Sequence, residues 1–212
     1  MVQKASPAEK ERSPQAALVC GQAFQRLAER LFPSIWAVRG TPLHAISDEM
    51  GDVVACATNL GLAIELYLKG LLARRGLEVP KVHDLAALFD ALPEPERTYI
   101  EILFMDQMPD TLRILNGRSW SFTLAKGAEE TPQWDQSYRS LALPDLLARS
   151  KDLFQSWRYV FEFSLPAGNS YQFHQFEFIP LRCAAEAIRV ELVAQLMESG
   201  DMPVPDLPPA ES

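Results

Sequence analysis

The sequence predicts an all-α fold in which one antiparallel bundle of helices surrounds a single core. Apolar residues recur at spacings of three and four along most of the chain, as they do on the buried face of a helix. The breaks between helical segments around residues 76–95 are short, which favours antiparallel neighbours. With 212 residues, 48% of them hydrophobic, the chain is long enough for one substantial core.

Helical segments are expected at residues 15–32, 48–75, 83–108, 144–163 and 181–198. The first follows Ser13 and Pro14, an N-cap residue and a proline at the first helical position, and is expected to end near Pro33. The second is expected to stop at Gly76, because glycine readily adopts the left-handed conformation that ends a helix. The third is expected to form two helices, since Pro-Glu-Pro at 93–95 interrupts it.

The second segment carries a stripe that is typical of a helix packed against a core: Val53, Cys56, Leu60, Ile64, Leu68 and Leu71. Gly61 and Gly70 lower its helix propensity. The two glycines would also let neighbouring helices approach closely.

One domain is expected at residues 15–198, between mobile tails at 1–14 and 199–212 that are rich in proline and polar residues. Inside it, residues 109–143 lose the helical period and are expected to be a long irregular insert, either a functional lid or a mobile segment. The later stretch "YQFHQFEF" alternates aromatic with polar residues, at the period of a strand or a hairpin arm.

Composition and missing motifs exclude several function classes. The net charge of -8 argues against nonspecific wrapping of nucleic acid, although a local basic patch stays possible. The start of the chain is polar, and no stretch reaches about 18 consecutive apolar residues, so we expect no membrane span. The three cysteines are widely separated and are expected to be buried thiols. Together these features indicate a cytoplasmic protein. Without a Walker loop, GxGxxG, HExxH or paired ligands, we expect no cofactor and no metal.

Glu65 and Lys69 lie one helical turn apart in "AIELYLKGLL", where nearly every neighbour is apolar. They could form a solvated ion pair. They could also line a groove of the bundle, because charges set among buried groups must be paired or functional.

His83 and Asp84 follow Pro80 and open the next helix. Asp84 can cap that helix and complement its dipole. His83 could be a structural residue bonded back onto the long helix, or a general base or phosphate ligand.

Arg158 and Glu162 also lie one turn apart, in "WRYVFE", where Tyr159 is among the flanking aromatic residues. This arrangement could be a salt bridge between helices. It could also be a site at which the arginine binds a phosphate or stacks on an aromatic ring.

The segments "AIELYLKGLLARRGLEVPKVHDLAALFDAL" and "FQSWRYVFE" resemble the HEPN family (higher eukaryotes and prokaryotes nucleotide-binding). The resemblance carries a helix with Glu-Leu-x-Leu-Lys, a short turn, and His-Asp-Leu at the start of the next helix. It implies a bundle of four or five helices that usually dimerises. The family includes RNA-cleaving toxins, antiphage effectors and partners of minimal nucleotidyltransferases.

Active ribonucleases of that family carry an arginine followed, four to six residues later, by a histidine. Arg158 can take the arginine position, but residues 162–164 are Glu, Phe and Ser, and His174 lies beyond a proline and glycine break. We therefore expect a binding or regulatory module of a bacterial defence or toxin–antitoxin-like system, recognising a nucleotide, RNA or a partner protein. The alternative is a metal-independent endoribonuclease that uses Arg158 with His83 or His174 as acid/base.

Two further expectations concern assembly. Glu65, Lys69, His83, Arg158 and Glu162 are expected to meet in one polar cluster, because their signs compensate in apolar surroundings. A homodimer is expected, because the aromatic tract at 171–178 is hard to bury within one small bundle.

Overall fold

A computed structural model describes residues 13–39, 48–114, 121–126, 132–135, 140–158 and 172–200. Its helices are α1 (Pro14–Ala37), α2 (Asp48–Arg74), α3 (Leu85–Asp90), α4 (Glu94–Gln107), α5 (Asp110–Ile114), α6 (Leu143–Arg149), α7 (Leu153–Arg158) and α8 (Phe178–Glu198). Its strands are β1 (Ser121–Lys126), β2 (Pro132–Asp135) and β3 (Gln172–Phe176). The all-α class is confirmed. Most of the two tails expected to be mobile lies outside the described residues.

Helix α2 lies at the centre of the bundle, packed against α1, α3, α7 and α8. All six residues of its predicted stripe are buried. A side chain at Gly61 would meet the backbone of Phe154 in α7, and one at Gly70 would meet Leu192 in α8. The two glycines therefore permit the close approaches that the sequence predicted.

The end of α2 also follows the sequence prediction. Gly76 has a φ of 65°, and the backbone N–H of Leu77 donates to the carbonyl of Leu72 at 2.9 Å. This bond satisfies one of the free carbonyls at the end of the helix. The chain can then turn back toward α2 and start α3.

By length and composition, α2 could cross a membrane. However, 56% of its most apolar window is buried inside the protein, and the core helix of a soluble protein passes the same test. The contacts of α2 with four other helices fit that interpretation.

The end of α1 differs from the prediction. The helix continues through Pro33 to Ala37, although proline removes a hydrogen bond from the helix interior. Packing explains the extension: Phe32 and Trp36 stack with ring centroids 6.0 Å apart, and both contact Phe178 of α8. Ile35, between them, is fully buried.

The single helix predicted at 144–163 is two short helices, α6 and α7, separated by a turn at 150–152. Within that turn the carbonyl of Lys151 accepts a hydrogen bond from the N–H of Leu85, at 3.0 Å. The break therefore secures the start of α3. Residues 159–163 lie outside the described residues.

The described parts of the insert contain regular structure that the sequence did not predict. Besides α5, strands β1 and β2 pair with each other, and β1 also pairs with β3 in an antiparallel sheet of order β2-β1-β3. Phe122 of β1 and Phe176 of β3 lie opposite each other and contact Trp157 of α7. The strand expected in "YQFHQFEF" is thus present as β3, and Phe176 is buried in the core.

Candidate functional site

A buried carboxylate, Glu65, holds two basic side chains at the surface of the bundle. Its Oε1 accepts a hydrogen bond from Lys69 Nζ at 2.7 Å, and its Oε2 lies 2.9 Å from His83 Nδ1. Only 5% of the Glu65 side chain is exposed, against 23% for Lys69 and 41% for His83. The carboxylate is therefore satisfied inside the protein while both bases reach solvent.

Local sequence brings these residues together. Glu65 and Lys69 face the same side of α2 because they are one turn apart. The turn at Gly76 reverses the chain, and the segment that follows returns His83 to α2. Asp84 caps α3 as predicted, since its Oδ1 accepts from Ala87 N at 3.0 Å. This hydrogen bond places the Asp84 carboxylate at the start of α3.

The His83 ring is fixed in orientation. Its Nδ1 lies within 3.1 Å of both Glu65 oxygens, and its ring contacts that of Phe154 in α7, with centroids 5.5 Å apart and planes tilted by 41°. A carboxylate accepts hydrogen bonds, so Nδ1 donates and Nε2 is the nitrogen left for another partner. Within the described residues no hydrogen bond reaches Nε2.

Such a unit has two chemical uses. Nε2 of His83 can accept a proton or hydrogen-bond a bound ligand, and the Glu65 carboxylate sets the tautomer and the orientation of the ring. Lys69 adds a nearby positive charge, which favours an anionic ligand. The described residues contain no group of three or more His, Cys, Asp or Glu side chains that could hold a metal ion.

The side chains of four other predicted site residues, Arg158, His174, Tyr159 and Glu162, lie outside the described part of the structure. Arg158 is the last residue of α7, one turn after Phe154, and only its backbone is described. His174 lies in β3 opposite Leu124, again as backbone. Tyr159 and Glu162 lie outside the described residues. Of the expected five-residue cluster, the contacts of Glu65, Lys69 and His83 are thus observed.

Sequence reasoning missed a polar network between α1, α2 and α8. The Tyr67 hydroxyl donates to Gln25 Oε1 at 2.8 Å, and Gln25 Nε2 in turn donates to Glu186 of α8 at 3.3 Å. Burial raises the pKa of Tyr67, whereas the hydrogen bond from Arg189 lowers the pKa of Glu186. The polar residues on the inner side of α1 were the available signal, because a buried Gln needs partners.

An ion pair that the sequence also did not predict joins α6 to the start of α8. Arg149 Nε donates to the almost fully buried Glu177 at 2.5 Å, and Arg149 Nη2 donates to the carbonyl of Ser140 at 3.0 Å. Sequence offered no signal for this pair, since 28 residues separate its members.

The cysteines differ from the expectation in one respect. Cys56 and Cys183 are buried free thiols, and burial raises the pKa of Cys56 to about 12 and that of Cys183 to about 11. Cys20 is instead exposed, so the prediction of three buried thiols is wrong at this position.

The sequence model described as HEPN domain matches residues 46–122. The match confirms the resemblance for the segment that carries Glu65, Lys69 and His83, and it spans about a third of the chain. It does not reach "FQSWRYVFE". No curated protein and no solved structure matches the chain.

Proposed function

From the match of residues 46–122 to the HEPN domain, we propose that the chain is a binding or regulatory HEPN-like module of a bacterial defence or toxin–antitoxin-like system. Its ligand carries phosphate, as a nucleotide or RNA does. The observation that carries the proposal is the half-exposed His83 ring, whose Nδ1 is held by a buried carboxylate and whose Nε2 is left for another partner.

The charge arrangement supports a phosphate ligand over an uncharged one. Lys69 and His83 share the single carboxylate of Glu65, so the unit carries an excess of positive charge whenever the imidazole is protonated. Arg158 ends the helix whose Phe154 packs on His83. Arginine binds phosphate through two parallel hydrogen bonds, which makes it the expected second contact.

The sequence favours binding over cleavage. Cleavage by a 2′-hydroxyl needs a group that removes its proton and one that protonates the leaving oxygen. Residues 162–164, where active ribonucleases of the family carry histidine, are Glu, Phe and Ser. One imidazole therefore serves better for binding than for two proton transfers.

Binding can be tested by fluorescence anisotropy of a labelled single-stranded RNA, with unlabelled AMP as competitor. Arg158→Ala and His83→Ala should each weaken binding by about tenfold, the loss of roughly 1.4 kcal/mol of charged hydrogen bonding. Arg30→Ala, an exposed arginine on the outer side of α1, is the matched control and should bind as the native chain does. Equal weakening by all three variants would indicate only nonspecific charge attraction and contradict the proposal.

A metal-independent ribonuclease is the second candidate, and one observation favours it. The contact between Glu65 and His83 is the arrangement by which a carboxylate orients a histidine that acts as a general base. In this function Arg158 stabilises the phosphate charge and His174 supplies the second proton transfer. RNA cleavage in the presence of EDTA, lost in both His83→Ala and His174→Ala, would establish it in place of binding alone.

We also propose that the module acts as a homodimer. Of the aromatic tract at 171–178, the described aromatic side chains, Phe176 and Phe178, are buried and do not form the interface. An apolar stripe on α4 supplies a better reason. Tyr99, Ile102 and Met105 are exposed at spacings of three on one face of this helix. A stripe centred on Ile102 can pack against itself across a two-fold axis, with Tyr99 beside Met105 of the second copy.

A further inference from the structure

A cavity of about 360 Å³ lies between the first turns of α1, the second half of α2 and residues 79–81. Most of its lining is apolar and includes Ala16, Leu66, Val79 and Pro80. Its size is at the lower end of the range for small-molecule sites, roughly 300–1,000 Å³. His83 is not among its lining residues, whereas Lys69 belongs both to this cavity and to the unit at Glu65.

The charged side chains that the described residues place on the cavity are of one sign. Among those residues its lining includes two lysines, Lys69 and Lys81, and no carboxylate, on a chain with 28 acidic and 20 basic residues. A neighbouring cavity of about 260 Å³ between α1 and α8 is lined by both signs, among them Glu186 and Arg189. The one-sided charge is therefore a property of this cavity and not of the surface as a whole.

Both lysines have N–H groups that are available to a ligand. Lys69 uses one contact on Glu65 Oε1, and an ammonium has three N–H groups. Lys81 is exposed and forms no ion pair with any of the described residues. An anionic group at the mouth of the cavity could thus be bound by both side chains.

The body of the ligand must be apolar. Ser13, a further polar side chain of the lining, already accepts from Ala16 N at 3.1 Å and donates to Gln15 at 3.0 Å. The polar edge of a nucleobase would find few partners against these walls and would lose its hydrogen bonds with water. An aliphatic or aromatic body has no hydrogen bonds with water to lose, and burial of its apolar surface is favourable.

We propose that this cavity binds a small organic anion with an apolar body, whose carboxylate, sulfonate or phosphate group is held by Lys69 and Lys81. This site shares Lys69 with the unit at Glu65 and His83, whereas Lys81 and Cys20 belong to the cavity and not to that unit. Cys20 provides a sensor, because it lines the cavity and its thiol is exposed. The buried Cys56 and Cys183 have raised pKa values and should react much more slowly.

The test is the rate at which iodoacetamide alkylates Cys20 at pH 8, followed by mass spectrometry of the intact chain. The probe is 1-naphthalenesulfonate, and 1-naphthalenemethanol is the uncharged match. Saturating sulfonate should slow the alkylation of Cys20 at least fivefold, and the alcohol at the same concentration should protect much less.

Lys81→Ala should raise the sulfonate concentration needed for half-protection by about threefold to fivefold, the upper part of the range for a solvent-exposed ion pair. Arg30→Ala, on α1 outside the cavity, should leave it unchanged. The proposal is overturned if AMP protects Cys20 at a lower concentration than the sulfonate does, or if the alcohol protects it equally well. It is also overturned if Lys81→Ala has no effect on the protection. RNA binding at His83 is measured separately, so failure of either proposal is visible without the other.

Discussion

Glu65 is the residue on which the candidate site depends, because its buried carboxylate is satisfied by two bases from different elements. Removing Lys69 leaves that carboxylate short of a donor. Lys69→Met should lower the free energy of unfolding by about 1–3 kcal/mol, the cost of an under-satisfied buried polar group. Urea unfolding followed by circular dichroism measures this change.

Arg97→Met is the matched control, because the ion pair of Arg97 with Asp90 is long, at 3.5 Å, and more exposed. It should cost less than about 1 kcal/mol. The double variant Glu65→Gln/Lys69→Met should recover part of the loss of Lys69→Met. If Lys69→Met costs no more than Arg97→Met, the carboxylate does not need Lys69.

Glu186 makes stability depend on pH in a direction that can be worked out. The hydrogen bond from Arg189 lowers its pKa below the ordinary 4.5. Between the lowered value and 4.5 the unfolded chain binds more protons than the folded one, so this stabilisation is present above 4.5 and is lost as the pH falls through the lower pKa. Glu186→Gln should therefore lose less stability than the native chain between pH 6 and pH 3.

The measurement is a set of urea unfolding curves over that pH range. Glu198→Gln, at an exposed carboxyl near the end of α8, is the control and should follow the native chain. If Glu186→Gln loses as much stability as the native chain over this pH range, other carboxyls account for the loss.

How much of the site could be predicted differs from residue to residue. Glu65, Lys69 and His83 could be connected because two lie one turn apart and the third follows a short turn with a clear stop at Gly76. The bond between Tyr67 and Gln25 spans 42 residues and depends on how α1 lies across α2. Periodicity gives the buried side of each helix but not the register between two helices.

At the scale of elements, the crossing of α1 and α2 depends on a glycine. A Cβ at Gly21 would lie 2.4 Å from Cε1 of the Tyr67 ring, whereas one at Gly51 in the first turn of α2 would meet nothing within 4 Å. Gly21→Ala should destabilise the fold by about 1–3 kcal/mol through overpacking. Gly51→Ala should stabilise it by about 0.5–1 kcal/mol through helix propensity.

Both variants add one methyl group to a helical glycine. Opposite changes in the free energy of unfolding, measured with urea, would therefore report the packing around each glycine and not the substitution itself. A stabilising Gly21→Ala would mean that α1 and α2 cross at a greater distance. A tryptic digest of Gly21→Ala should also cleave α1 faster than the native chain does, because α1 is the helix displaced.

Element prediction succeeded where local signals decide and failed where tertiary contacts decide. Helix α2 has a long stripe and a glycine stop, and its predicted bounds agree with the structure to within a residue. The continuation of α1 past Pro33 requires the ring contacts with Phe178, which lies in a distant part of the sequence. The sheet joins β1 to β3 across some fifty residues, a pairing that no local pattern encodes.

For the whole molecule, the stripe of Tyr99, Ile102 and Met105 predicts a homodimer through α4. Light scattering at micromolar concentration should give twice the monomer mass. Ile102→Glu places a charge at the centre of the interface and should shift the protein to monomers while its circular dichroism stays helical. Val19→Glu, at an exposed apolar residue on α1, should remain dimeric. A monomeric native chain, or equal loss of mass in both variants, would contradict this assembly.

The central claim is that the module binds a phosphate ligand through His83 and Arg158 without cleaving it. The most direct test is one reaction in which excess protein is incubated with end-labelled RNA in EDTA, and half is run on a native gel and half on a denaturing gel. The account predicts a shifted band on the native gel and full-length RNA on the denaturing gel, with the shift reduced in Arg158→Ala. Shortened RNA that disappears in His83→Ala would contradict the claim and establish the chain as a ribonuclease.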